Sequence, residues 1–123
     1  MSNSWEHQPY PQMAVGGVCE FCRIVANEAP SRVAYQDDDV MVIYNMLQWV
    51  PVMLLIIPKK HMTQKEMWHS QIIGRLAEAA VRMGTEHCPG GFRILSNFGH
   101  QAMQSQPHGH LHVVGGTQLG RYV

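Results

Sequence analysis

Six consecutive apolar residues, Val52-Met53-Leu54-Leu55-Ile56-Ile57, end at Pro58 and constrain the fold more than any other stretch of this chain. A run of this length and composition predicts a central strand buried on both faces. Such a strand needs a layer on each face and a hydrogen-bonded neighbour along each edge. The rest of the chain supplies candidates. Residues 32–36 and 40–44 read as strands joined by an Asp37-Asp38-Asp39 turn, which is a hairpin pattern. The three aspartates lack the wider ligand spacing of a calcium loop, so they read as a solvated turn.

Downstream of Pro58, Thr63 stands three residues before Glu66, the spacing of a helix capping box. Residues 66–87 have helical periodicity, with Trp68, Ile72, Leu76, Ala79, Ala80 and Met83 on one stripe that reads as core. Pro89-Gly90-Gly91 stops that helix. Residues 92–97 read as a strand, 98–107 as a polar loop and 108–114 as the last strand, ended by Gly115-Gly116. The expected class is α+β: an antiparallel sheet covered by one long helix. With 123 residues, the chain suits one domain over 18–123, preceded by a polar N-terminal arm over 1–17.

Composition removes several function classes. Nine basic residues balance nine acidic ones, and no basic stripe points to nucleic acid. No apolar run is long enough to span a bilayer, and the start lacks the layout of a signal peptide. Three cysteines, an odd number, argue against a disulfide scaffold and for a reducing, cytoplasmic setting. Cys88, alone before Pro89, reads as a small apolar residue closing a helix.

Two motifs carry chemistry. Cys19-Glu20-Phe21-Cys22 reads as half of a tetrahedral zinc site, as packed thiols or as a redox pair. His61 and His108 are available to complete a closed Cys2His2 shell, which would leave no open position for catalysis. The second motif is His108-Gly109-His110-Leu111-His112. On a strand the three imidazoles would share one face, with successive rings spaced by roughly 7 Å. They could hold a metal, or one could act as a nucleophile assisted by its neighbours. A polar strand face with satisfied histidines is the plain alternative. Upstream, Asn97, Gly99, Gln104 and Ser105 offer the amide, hydroxyl and loop N–H groups that a phosphate or oxyanion needs.

These residues resemble the histidine triad (HIT) family of nucleotide-binding proteins. The signature His-x-His-x-His followed by two apolar residues reads here His108-Gly109-His110-Leu111-His112-Val113-Val114. Cys19-Glu20-Phe21-Cys22-Arg23-Ile24-Val25, Leu55-Ile56-Ile57-Pro58-Lys59-Lys60-His61 and Val114-Gly115-Gly116-Thr117-Gln118 resemble further family stretches. Asn97, eleven residues before His108, agrees as well. The ending is similar to that of the branch that hydrolyses nucleoside phosphoramidates.

The resemblance implies a five-stranded antiparallel sheet with a long helix, and a homodimer whose sheets join into a ten-stranded one. It implies a site for a purine nucleotide or nucleotide conjugate, structural zinc, and no organic cofactor. His110 would be the nucleophile, His112 would bond the phosphate and Ser105 would help protonate the leaving group. Asn45, Asn97, Gly99, Gln104, Ser105 and His112 would contact substrate. Cys19, Cys22, His61 and His108 would hold the zinc. The sequence departs from the pattern at Met53, where many members carry a further histidine. It departs at Met103 in place of a loop glycine, at Asn45 in place of an acidic residue, and at Gly109 in place of a larger residue. These changes leave two expectations, a hydrolase or transferase and a nucleotide-sensing dimer without turnover. A zinc-structured module with no nucleotide site is a third.

Overall fold

The computed structural model describes residues 18–121, so the expected arm over 1–17 lies outside the described residues. The elements are α1 (Glu20–Val25), β1 (Val33–Gln36), β2 (Val40–Tyr44), β3 (Val52–Pro58), α2 (Gln64–His69), α3 (Ile72–His87), β4 (Phe92–Leu95) and β5 (Leu111–Gly115), with a 3-10 turn at His100–Ala102. The five strands form one antiparallel sheet in the order β1-β2-β3-β5-β4. As the apolar run requires, β3 is central, between β2 and β5, and buried along nearly its whole length.

Strand alternation splits the core in two. Val40, Val42, Leu54, Ile56, Leu111 and Val113 face Met67 of α2 and Leu76, Ala79, Ala80 and Met83 of α3. Met41, Ile43, Leu55 and Ile57 face the other way and pack against Phe21 of α1. His112 pairs across the sheet with Leu55, which puts it on this second face, away from the long helix. The candidate site residue His112 therefore lies on the thinly covered side of the sheet.

The single helix expected over 66–87 is two helices. Ser70 adopts an extended backbone after α2, and its hydroxyl accepts from the Ile72 N–H to start α3. The capping box at Thr63 and Glu66 forms as predicted, and the helix it caps begins at Gln64, two residues before the expected start. The break turns Trp68 off the core stripe. It is 46% exposed, and its indole N–H donates to Ser96. Cys88 is buried at the end of α3, in keeping with its apolar reading.

The Asp37 turn is built by one carboxylate. Its oxygens accept from the N–H groups of Asp39 and Val40, each at 2.9 Å, and from the Tyr35 hydroxyl at 2.8 Å. Arg75 of α3 reaches both Asp37 and Asp39. These bonds, led by the Asp39 N–H, pull the Asp37 carboxyl from 3.8 down to about 2. The unfolded chain therefore binds the extra proton, and this stabilisation is present above pH 3.8 and lost as pH falls through about 2. Asp37→Ala is expected to cost about 1–2 kcal/mol at pH 7. The cost should shrink over that acid window, as read by urea unfolding at a series of pH values.

Candidate functional site

The turn that ends β3 places the first ligand pair. Pro58 stops the strand, and its free carbonyl accepts from the His108 Nε2–H at 2.7 Å. A carbonyl only accepts, so this bond fixes the tautomer and leaves the His108 Nδ1 lone pair free. That atom lies 3.2 Å from His61 Nδ1, 3.4 Å from Cys19 Sγ and 3.6 Å from Cys22 Sγ. His61 Nδ1 is 3.3 Å from Cys22 Sγ. All four donor atoms lie within 4.8 Å of one another. Zinc bound tetrahedrally at its usual bond lengths would set donor edges of about 3.3 Å for N···N and about 3.5 Å for N···S. The observed separations agree with those edges, so the residues fit zinc. The Pro58 carbonyl supplies the outer-sphere acceptor that a ligating imidazole normally has. Burial first, and then the neighbouring Cys19, push the Cys22 thiol up to about 11.

α1 carries the cysteines. Cys19 caps it, with Sγ accepting from the Cys22 N–H. Phe21 on the same turn is buried and sits edge-on to two triad rings, 5.8 Å from His108 and 5.3 Å from His110.

The histidine row departs from the expected strand. β5 begins at Leu111, so only His112 of the three lies within it. His108 instead bridges to Thr63, and the Gly109 N–H donates to the Met62 carbonyl at 2.7 Å. Met62 and Thr63 thus continue the pairing where the sheet stops. A Cβ at residue 109 would lie 3.0 Å from Met67 Cβ and Sδ, a tight approach in which a larger residue needs Met67 to give by a few tenths of an ångström. The row is also tighter than an ideal strand allows, with the His110 and His112 ring centroids 4.9 Å apart.

The His110 ring is 2% exposed. Its Nδ1–H donates to the His108 carbonyl at 2.8 Å, which leaves Nε2 as the unprotonated nitrogen. Burial pushes its pKa down to about 4, so the ring is neutral at pH 7. Burial lowers His112 too, and its Nε2 is buried without a hydrogen-bond partner. An orphaned buried nitrogen costs about 1–3 kcal/mol. A ligand oxygen would offset that cost.

The loop between β4 and β5 closes on itself more than its composition suggests. Gly99 has φ 91°, a conformation glycine tolerates, but its N–H donates to Gln104 Oε1 at 2.8 Å. Gln104 is buried, and its Nε2 donates to the Gln106 carbonyl. Both residues staple the loop. Ser105 is exposed, and its hydroxyl has no partner among the described residues. Asn45 lies just past β2, with Oδ1 accepting from the Leu47 N–H. Met53, buried on the histidine side of the sheet, accepts from the Trp49 N–H at 3.1 Å. Asn97 lines an open cavity of about 900 Å³ with Arg93, Ile94, Leu95, Ala102, Met103 and Arg121. His110 and His112 are not in that lining, although Leu95 is the cross-strand partner of His112.

Met103 occupies a left-handed backbone conformation at φ 63°, which accounts for glycine being the expected residue there. That conformation costs a side-chain-bearing residue about 1–2 kcal/mol, whereas glycine adds about 0.5–1 kcal/mol of chain entropy to the unfolded state. Met103 is 78% exposed and gives up little packing. Met103→Gly is expected to raise stability by about 0.5 kcal/mol. A loss of stability in urea unfolding would contradict the strain.

Sequence reasoning missed Gln64 and Ser96. Gln64 is fully buried at the start of α2. Its only sequence signal was its place just after the Thr63 cap.

Comparison with known proteins agrees with this geometry. The HIT domain family matches residues 26–119. A 14 kDa zinc-binding protein of Brassica juncea is 37% identical over 105 residues, covering 80% of this chain and 93% of its own length. Adenylylsulfatase HINT1 of Arabidopsis thaliana is 36% identical over 105 residues, covering 80% and 71%. The solved structure of a HIT family hydrolase from Clostridium thermocellum superposes with a TM-score of 0.78 at 32% identity, covering 85% of this chain and 96% of that one. With the family's signature, fold and Cys2His2 cluster in one domain, the chain belongs to the histidine triad family.

Proposed function

We propose that this protein is a nucleotide-binding hydrolase or transferase that cleaves a phosphoramidate or phosphoanhydride bond at the α-phosphate of a purine nucleotide. The observation that carries the proposal is the His110 tautomer. Nδ1–H is held by the His108 carbonyl, and Nε2 is a neutral, unprotonated base beside the unpartnered His112 Nε2.

In the first displacement, the Nε2 lone pair bonds to phosphorus and the leaving group departs. Ser105 passes a proton to it and regains one from water. His112 donates to a phosphate oxygen, Asn97 holds the site near the phosphate, and the Asn45 side-chain NH2 meets the ribose hydroxyls. Water then attacks phosphorus, the P–N bond breaks back onto Nε2, and nucleoside monophosphate leaves. In this reading substrate enters from the cavity at Asn97, whose lining includes Leu95, the cross-strand partner of His112.

Cys19, Cys22, His61 and His108 would hold a zinc ion, which supplies structural cross-linking between α1, the Pro58 turn and the histidine row. Thiolate ligation suits a reducing compartment, in line with a cytoplasmic site of action. β4 is a sheet edge with Ile94 exposed, and pairing of two such edges would give the ten-stranded homodimer. The alternative, a nucleotide sensor without turnover, is favoured by Met53, whose sulfur is engaged with Trp49 where a histidine was expected.

A hydrolysis panel of nucleoside phosphoramidates, dinucleoside polyphosphates and adenylyl sulfate tests the proposal, run beside calorimetry with AMP. Product release supports the hydrolase. Tight AMP binding with no product on any substrate supports the sensor instead.

A further inference from the structure

His110 sits one residue outside the β5 ladder, so its main-chain N–H and C=O have no strand partner to satisfy them. Two side chains take the ladder's place. Gln64 Oε1 accepts from the His110 N–H at 3.1 Å. The Ser96 hydroxyl lies 3.3 Å from the His110 carbonyl and 3.4 Å from Gln64 Oε1. The Trp68 indole N–H donates to the Ser96 hydroxyl oxygen, which leaves the Ser96 proton free to point inward. Gln64 Nε2 donates to the Asn97 carbonyl at 3.3 Å. One buried amide therefore ties the start of α2 both to the backbone of His110 and to the loop that carries Asn97.

The structure assigns Gln64, seconded by Ser96, as the positioning residue that sets the backbone of His110 relative to Asn97. The kinetic part of this assignment rests on the proposed nucleophilic role of His110. The structural part does not. Backbone groups held by side chains can shift by an ångström when a side chain changes, and such a misplacement costs on the order of a hundredfold in rate. Gln64 does not touch substrate. Its effect falls on kcat and leaves KM nearly unmoved.

The test uses Gln64→Met, which keeps length and removes both polar groups, and Gln64→Asn, which draws the amide back by one methylene and serves if the first variant fails to fold. Amide hydrogen exchange at His110, compared with core amides of β5, reports the local bond without reference to activity. Phosphoramidate turnover is measured alongside, with His110→Ala as control. Exchange at His110 is expected to quicken at least about tenfold in the folded variant while Val113 stays protected. kcat is expected to fall about 10- to 100-fold, with KM changed less than about threefold. Wild-type exchange at His110 in a folded variant overturns the assignment whatever the turnover. Faster exchange with unchanged kcat, while His110→Ala is inactive, overturns the positioning role. Full turnover by His110→Ala defeats the nucleophilic reading instead, and exchange still judges Gln64.

Discussion

His110→Ala is expected to lower nucleoside monophosphate release from a phosphoramidate by about 10⁴-fold or more, the scale seen when a nucleophile is deleted from a covalent mechanism. The variant keeps its backbone bonds to Gln64 and Ser96, since these are made by main-chain atoms. Loss of the ring leaves a hole beside Phe21, so the variant should be less stable but folded. Calorimetry with AMP then separates loss of chemistry from loss of binding. A quenched wild-type reaction is expected to carry a nucleotidyl adduct on the peptide holding His110, and the variant none. Equal turnover by both proteins would remove the nucleophile from the mechanism.

Cys19→Ser is expected to strip zinc from the purified protein and to lower its stability by about 3 kcal/mol or more, since structural zinc contributes folding energy directly. For a domain of this size that is a fall of roughly 12 °C or more in Tm. Serine is the informative replacement because its hydroxyl still caps α1, where Cys19 Sγ now accepts from the Cys22 N–H. The lost stability then reports the metal shell and not the helix cap. Phe21, on the same helix, packs edge-on against His110, so loosening α1 should also slow turnover. Wild-type protein purified without chelators and found free of zinc, or a Cys19→Ser variant with unchanged metal content, would remove the structural-zinc reading.

Much of the fold was legible because its signals are local. The apolar run of β3, ended by Pro58, predicts a central strand, and the hairpin, the Thr63 capping box and the Pro89 stop are short-range chemistry. The Cys2His2 cluster was legible because a Cys-x-x-Cys turn and two histidines just outside strands have few other joint uses. The break between α2 and α3 was not, because helical periodicity runs through Ser70 and only the extended backbone there reveals the interruption. Gly99 and Gln104 read as ligand groups from composition. In the fold the Gly99 N–H and the Gln104 Oε1 bond each other, since the buried polar atoms of a loop must be paired.

By itself, the order of residues determined that five strands form and which side chains within each share a face, because alternation along a strand is a property of the chain alone. Only the tertiary structure decided how His110, the proposed nucleophile, is held. The His110 backbone meets Gln64 from 46 residues away and Ser96 from 14 residues away, and its ring bonds the His108 carbonyl and packs on Phe21. Those partners come together only when the sheet closes and its ladder stops one residue short of His110. Hydrogen-bond accounting at a strand end depends on what packs beside it, and no local pattern encodes that.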